Sequence, residues 1–182
     1  MDLIPSFNFG GLESEFTDYD RARVLIWPVP FEATTSYLQG TAQGPHAIIE
    51  ASRHFELYDE EIEGEVSRLG IHTLPPAPMS SPVEQVMDRL YQEARQLIQT
   101  GKFVCALGGE HSITSPIVKA VAEKYPDLSV LQVDAHADLR QSFEGTPYSH
   151  ASVAARLVEI CPLVQVGVRS LSVEEAQSFP HL

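Results

Sequence analysis

From residue 103 onward the chain repeats one pattern: a short apolar run, then polar residues, then a stretch with helical spacing. The apolar runs are residues 103–107, 128–133 and 163–166. Helices are predicted over 115–124 and 150–160, and from Ser172, where Glu175 three residues later completes a capping box. Apolar runs this short suit strands buried on both faces, and strand–helix–strand order makes neighbouring strands parallel through right-handed crossovers. The fold class this implies is α/β, a three-layer α/β/α arrangement around a mainly parallel sheet. In such sheets ligands bind at the carboxyl ends of the strands.

The first half fits the same scheme. Residues 24–29 form an apolar strand closed by Pro30, followed by a loop over 31–44 rich in Thr, Ser and Gly. Gly44-Pro45 opens a short helix through Ser52, with proline at an early position where its missing N–H costs nothing. Residues 69–71 read as a short strand, and Pro75, Pro76 and Pro78 as a turn-rich connection. The clearest helix is predicted over 82–100, with Ser81 and Glu84 as a capping box and Gly101 just past its end. Val83, Val86, Met87, Leu90, Ala94, Leu97 and Ile98 give it one apolar face, which is core packing. The expectation is a single domain over residues 1–182.

A formal charge of −13 argues against nucleic acid or an anionic membrane as partner, because both require basic patches. Asp2 stands early, no basic region precedes an apolar run, and no apolar stretch approaches spanning length, so a cytoplasmic protein is expected. Cys105 and Cys161 lie in or beside apolar segments and read as buried free thiols of a reducing compartment.

Two polar clusters follow predicted strands: Gly108-Gly109-Glu110-His111-Ser112 and Asp134-Ala135-His136-Ala137-Asp138. If the second continues its strand, the side chains of Asp134, His136 and Asp138 point to one side, separated by small alanines. His111 then supplies a fourth ligand. Carboxylates with imidazoles and no thiolate suit manganese, iron or zinc. Three such groups in so short a span favour a two-metal hydrolytic site, where a shared water becomes hydroxide near neutral pH. Either cluster alone would read as a helix cap or loop; two at two strand ends do not. Gly108-Gly109 lacks the later glycine of a dinucleotide fingerprint, which excludes a Rossmann cofactor.

At these residues the sequence resembles the ureohydrolase family of arginases, agmatinases and formiminoglutamases, whose signatures are G-G-[DE]-H-S and D-A-H-x-D. The resemblance extends to Phe31–Tyr37 with Gly40 and Gly44-Pro45, to Ser149-His150, and to Gln165–Ser170. It implies an arginase/deacetylase-like fold in which His111, Asp134, His136 and Asp138 hold two manganese ions, with Asp134 bridging them. It implies His150 as the catalytic proton shuttle, and Glu110 as a hydrogen-bonding neighbour rather than a ligand. His46, His54, His72 and His181 match nothing in the family pattern and read as surface or structural residues. The family's later D-x-D pair and guanidinium-binding glutamate have no counterpart here, since Asp18-Tyr19-Asp20 precedes the first strand. The chain therefore looks like the N-terminal part of a ureohydrolase domain, with the C-terminal part missing. Where arginases carry asparagine this chain has Arg140, and Asp-Leu-Arg followed by Tyr-Ser-His resembles agmatinases. The implied reaction is agmatine plus water to putrescine plus urea, with a small cationic guanidino substrate and a homo-oligomer, trimer or hexamer. Arginine, guanidinobutyrate and formiminoglutamate remain open as substrates. A zinc deacetylase of related fold fits less well, because Asp138 and the Gly-Gly-Glu-His-Ser segment are additional to its ligand pair. A truncated, non-catalytic metal-binding subunit is the other alternative.

Overall fold

The computed structural model describes residues 7–79 and 82–178. Its strands are β1 (Val24–Val29), β2 (Tyr58–Asp59), β3 (Gly64–Glu65), β4 (Ile71–Thr73), β5 (Phe103–Gly108), β6 (Val130–Val133) and β7 (Leu163–Val166). The helices are α1 (Ser14–Thr17), α2 (Gly44–Ser52), α3 (Val83–Gln99), α4 (Thr114–Lys124), α5 (Val153–Leu157) and α6 (Val173–Ser178). Two compact units emerge, one from the described residues within Met1–Glu32, Gln39–Met79 and Leu97–Gly109, the other from the described residues within Ala33–Leu38, Ser80–Gln96 and Glu110–Leu182.

In the first unit β1 is central, flanked in parallel by β4 and β5. Leu25, Ile26, Trp27 and Val29 are all buried, as a continuous apolar run in a covered central strand requires. Pro28 lies in this strand without cost. Ile26 and Pro28 turn their carbonyls toward the β4 side, accepting from Leu74 N–H and Ala77 N–H. The β4 pairing has ended at Ile26↔Thr73, so the missing N–H breaks no ladder bond. β5 is only half-buried, and Phe103 is exposed, contrary to the fully buried strand expected. The reason is its edge position: among the described pairings β5 bonds β1 alone. β2 and β3 form a small antiparallel hairpin that the sequence reading lacked.

The second unit holds the parallel pair β6–β7, joined through α5. Ala137, Leu139 and Ala154 form its buried cluster, with Leu163 and Val168 packed on them. β6 was expected to be buried on both faces and is not. Leu131, Val133, Val164 and Val166 share one face in register and are all more than half exposed. On the opposite face Gln132 lies across from Gln165. The predicted 150–160 helix is a 3-10 turn at His150–Ser152 followed by the shorter α5.

α3 buries Val86, Met87, Leu90, Ala94 and Ile98, the stripe read from its periodicity, and Gly101 follows its end with φ 74°. Its expected cap residue Ser81 lies outside the described residues. The α6 capping box is present: Ser172 N–H donates to Glu175 (2.6 Å) and Glu175 N–H to Ser172 Oγ (3.3 Å). Cys105 and Cys161 are free and half-buried rather than fully buried, and desolvation still pushes both thiols upward. No helix among the described residues is long and apolar enough to cross a membrane.

Candidate metal centre

The turn after β5 begins with a glycine that the backbone demands. Gly109 N–H donates to Val29 O (3.0 Å), and a Cβ at Gly109 would stand 2.2 Å from Phe31 O. No side chain fits there. Glu110 then returns to extended backbone, and His111 opens a 3-10 turn leading into α4. Neither Glu110 nor Ile113 makes a side-chain cap to these turns. The His111 imidazole is instead turned toward carboxylates.

Those carboxylates come from the segment after β6, which does not continue as a regular strand. Asp134 N–H still bonds Val166 O (3.0 Å), but the chain bends at Ala135, whose carbonyl accepts from Arg169 (2.8 Å) and Ser170 (2.9 Å). His136 N–H donates to Asp134 Oδ1 (2.7 Å), and Asp138 takes a left-handed backbone, φ 52°. Aspartate tolerates that region better than most residues, yet it is uncommon, and such conformations gather at functional sites. The result differs from three ligands on one strand face. Asp134 and Asp138 converge with His111, all three offering ligand atoms within 4.8 Å of one another. His111 Nδ1 lies 3.1 Å from Asp138 Oδ2 and 3.7 Å from Asp134 Oδ2. His136 stands outside this triplet with its ring mostly exposed, joined to it by Nδ1 at 3.1 Å from Asp134 Oδ1.

The donor set fits a hard or borderline divalent cation: two carboxylates and an imidazole, without sulfur. Burial pushes the Asp134 carboxyl upward, but the His136 N–H and ring and the nearby His111 outweigh it and hold Asp134 below its ordinary value. It is kept in the anionic form that a metal ligand needs.

Polar residues behind the triplet hold it in place. Glu175, buried in α6, accepts Leu139 N–H (2.8 Å), fixing the residue after Asp138. Gln165 donates to Gln132 Oε1 (3.0 Å) and Ala137 O (2.7 Å), and Gln132 Nε2 lies 3.4 Å from Asp138 Oδ2. Reading the strands as apolar runs overlooked these glutamines. Their signal was available: one amide inside each run, at positions that pair.

Glu110 is buried and, as expected, outside the ligand triplet. It accepts from Thr34 N–H (3.1 Å), Thr34 Oγ1 (3.1 Å) and Ser112 Oγ (2.8 Å). Thr34 Oγ1 in turn accepts His150 N–H (3.1 Å). His150 therefore stands beside the Ala33–Leu38 loop, on a cleft also lined by Ser36, His136, Asp138, Arg140 and Phe143. The Phe143 ring meets the His150 ring edge-on (5.8 Å), and the Arg140 guanidinium lies 5.2 Å from the Phe143 centroid. The remaining described histidines are elsewhere: His46 stacks on Phe7, His54 lies 3.7 Å from Glu50, and His72 Nδ1 lies 2.7 Å from Thr17 O. His181 is outside the described residues.

A carboxylate–imidazole cluster after a parallel strand of an α/β protein defines the class of site. The family follows from comparison, since the sequence profile of the Arginase family matches residues 22–181. The chain belongs to the arginase family. It is 44% identical over 157 residues to an N(1)-aminopropylagmatine ureohydrolase of Thermus thermophilus, covering 85% of this chain and 54% of that protein. It is 34% identical to an agmatinase of Bacillus anthracis, covering 86% and 56%. The crystal structure of the agmatine ureohydrolase of Thermoplasma volcanium superposes with a TM-score of 0.81 at 32% identity, covering 87% of this chain and 54% of that one. The chain thus spans about half the length of the curated relatives it matches.

Proposed function

We propose that the protein carrying this chain is a manganese-dependent ureohydrolase that splits agmatine and water into putrescine and urea. The observation that carries this reading is the convergence of His111, Asp134 and Asp138 in a chain of the arginase family. His111, Asp134, His136 and Asp138 would hold the metal, with the Asp134 carboxylate lying near both His111 and His136. When bound, the ions supply Lewis acidity that makes a water nucleophilic near neutral pH. The chain's own residues do the rest. The cleft beside Asp138 would take the substrate, and His150 on its wall would carry a proton to the departing amine, work suited to an imidazole. These four residues match part of the family's ligand pattern; its D-x-D pair has no counterpart in these 182 residues.

A second substrate reading rests on a specific observation: identity is higher to the N(1)-aminopropylagmatine ureohydrolase (44%) than to the agmatinase (34%). Both substrates are guanidino cations without an α-carboxylate, which agrees with Arg140 standing where arginases carry asparagine. The test is kcat/KM for urea release by the full-length manganese-loaded protein on agmatine, N(1)-aminopropylagmatine, arginine and guanidinobutyrate. Agmatine highest supports the first reading, and the aminopropyl compound highest transfers the assignment to the second. Arginine or guanidinobutyrate highest overturns both.

A further inference from the structure

We infer that Gln165 and Gln132 form a directional amide relay that positions the Asp138 carboxylate for metal binding; this rests on the metal-centre reading above. The direction follows from one acceptor. A backbone carbonyl can only accept, so the Gln165 group 2.7 Å from Ala137 O is its NH2. The same nitrogen lies 3.0 Å from the Gln132 amide, which must therefore present its oxygen to Gln165. With that oxygen committed, the Gln132 NH2 faces the other way, toward Asp138 Oδ2 at 3.4 Å. Polarity is transmitted from a main-chain carbonyl to a ligand carboxylate through two side chains.

The fold makes this relay possible and necessary. Gln132 and Gln165 are register partners across β6 and β7, so their side chains leave the same face side by side. That face is the covered one, with Gln132 nearly inaccessible, and an amide there must be bonded throughout. Asp138 needs the support because its left-handed backbone is uncommon and no regular strand pairing holds it. The Gln132 NH2 approaches Oδ2, the oxygen that also faces His111 Nδ1 at 3.1 Å, so the amide restrains rotation of the carboxylate on the side where an ion would sit. Gln132 and Gln165 are positioning residues; they do not face the substrate cleft.

The test uses methionine, close to glutamine in volume but without the amide, in the full-length protein. Free Mn²⁺ is followed by electron paramagnetic resonance during titration, alongside urea-induced unfolding without metal. Gln132→Met and Gln165→Met should each destabilise the fold: the first removes one of the two acceptors of the Gln165 NH2, and the second leaves Gln132 Oε1 and Ala137 O without their donor. The double variant removes both amides but still leaves Ala137 O without its donor, so it should recover only the part of the loss that comes from the stranded Gln132 oxygen. Manganese affinity should fall about 10–100-fold in Gln132→Met and stay low in the double variant. Wild-type affinity in either of those proteins would show that the glutamines only pack, and would overturn the inference. A wild-type protein that binds no manganese would instead overturn the metal-centre reading itself.

Discussion

Replacing Glu175 by alanine tests how the fold supports the candidate metal centre. Glu175 joins two places: its own helix start, through Ser172, and the residue after Asp138, through Leu139. Leu139 is 4% exposed, so without the carboxylate its N–H has no water to turn to. A hydrogen bond to a charged acceptor at such a site contributes about 1.5–3 kcal/mol. The capping bond to the half-buried Ser172 adds about 1 kcal/mol. Alanine's better helix propensity returns only a few tenths, so the expected loss is about 2–4 kcal/mol. Glutamine keeps one acceptor oxygen, and Glu175→Gln should cost about half as much. Equilibrium urea unfolding of the metal-free protein measures both. Because Leu139 adjoins Asp138, manganese affinity should also drop, by about 10–100-fold. A loss below about 0.5 kcal/mol for Glu175→Ala, with unchanged manganese affinity, would refute the reasoning.

Gly109→Ala should destabilise by about 2–3 kcal/mol or more, because its Cβ would meet the main-chain oxygen of Phe31, which cannot rotate away; thermal unfolding checks this, and an unchanged Tm would contradict it. The aliphatic face of β6–β7 should make the 182-residue chain self-associate, and Leu131→Lys with Val164→Lys should reduce the association seen by sedimentation velocity. Equal association in the variant would place the adhesive surface elsewhere. The depressed Asp134 carboxyl contributes stability to the metal-free fold above about pH 4, the ordinary aspartate range, and loses it as pH falls through the lower folded value. Asp134→Asn should therefore show a shallower acid decline in unfolding free energy than the wild type, and parallel curves would contradict the shift.

Much of the scaffold was legible because single physical signals dominated. Residues 24–29 and 163–166 are apolar runs bounded by turn formers, and both strands lie at those limits. α3 was legible from its periodicity, and α6 from the Ser172–Glu175 pair. The β2–β3 hairpin was not, because residues 58–65 lack an alternating pattern and the turn is closed by Glu63 at φ 51°, a residue that gives no left-handed signal. Inferring coverage of both β6 faces from apolarity failed because the aliphatic Leu131 and Val133 lie on the exposed face, while the covered face carries Gln132 with its amide bonded. At the site, the residue types were legible and the geometry was not. Alternation placed Asp134, His136 and Asp138 together, whereas the bend at Ala135 and the left-handed Asp138 leave His136 outside the triplet. Thr34 was invisible as a partner of His150, since nothing local in the sequence links residues 116 positions apart.

The central claim, that this carboxylate–imidazole cluster holds the metal on which guanidine hydrolysis depends, is tested most directly at Asp134. In the full-length protein, urea release from agmatine should rise with added Mn²⁺ in the wild type and be abolished in Asp134→Ala, with less manganese bound per chain and the fold retained by circular dichroism. Wild-type urea release and metal content in Asp134→Ala would contradict it.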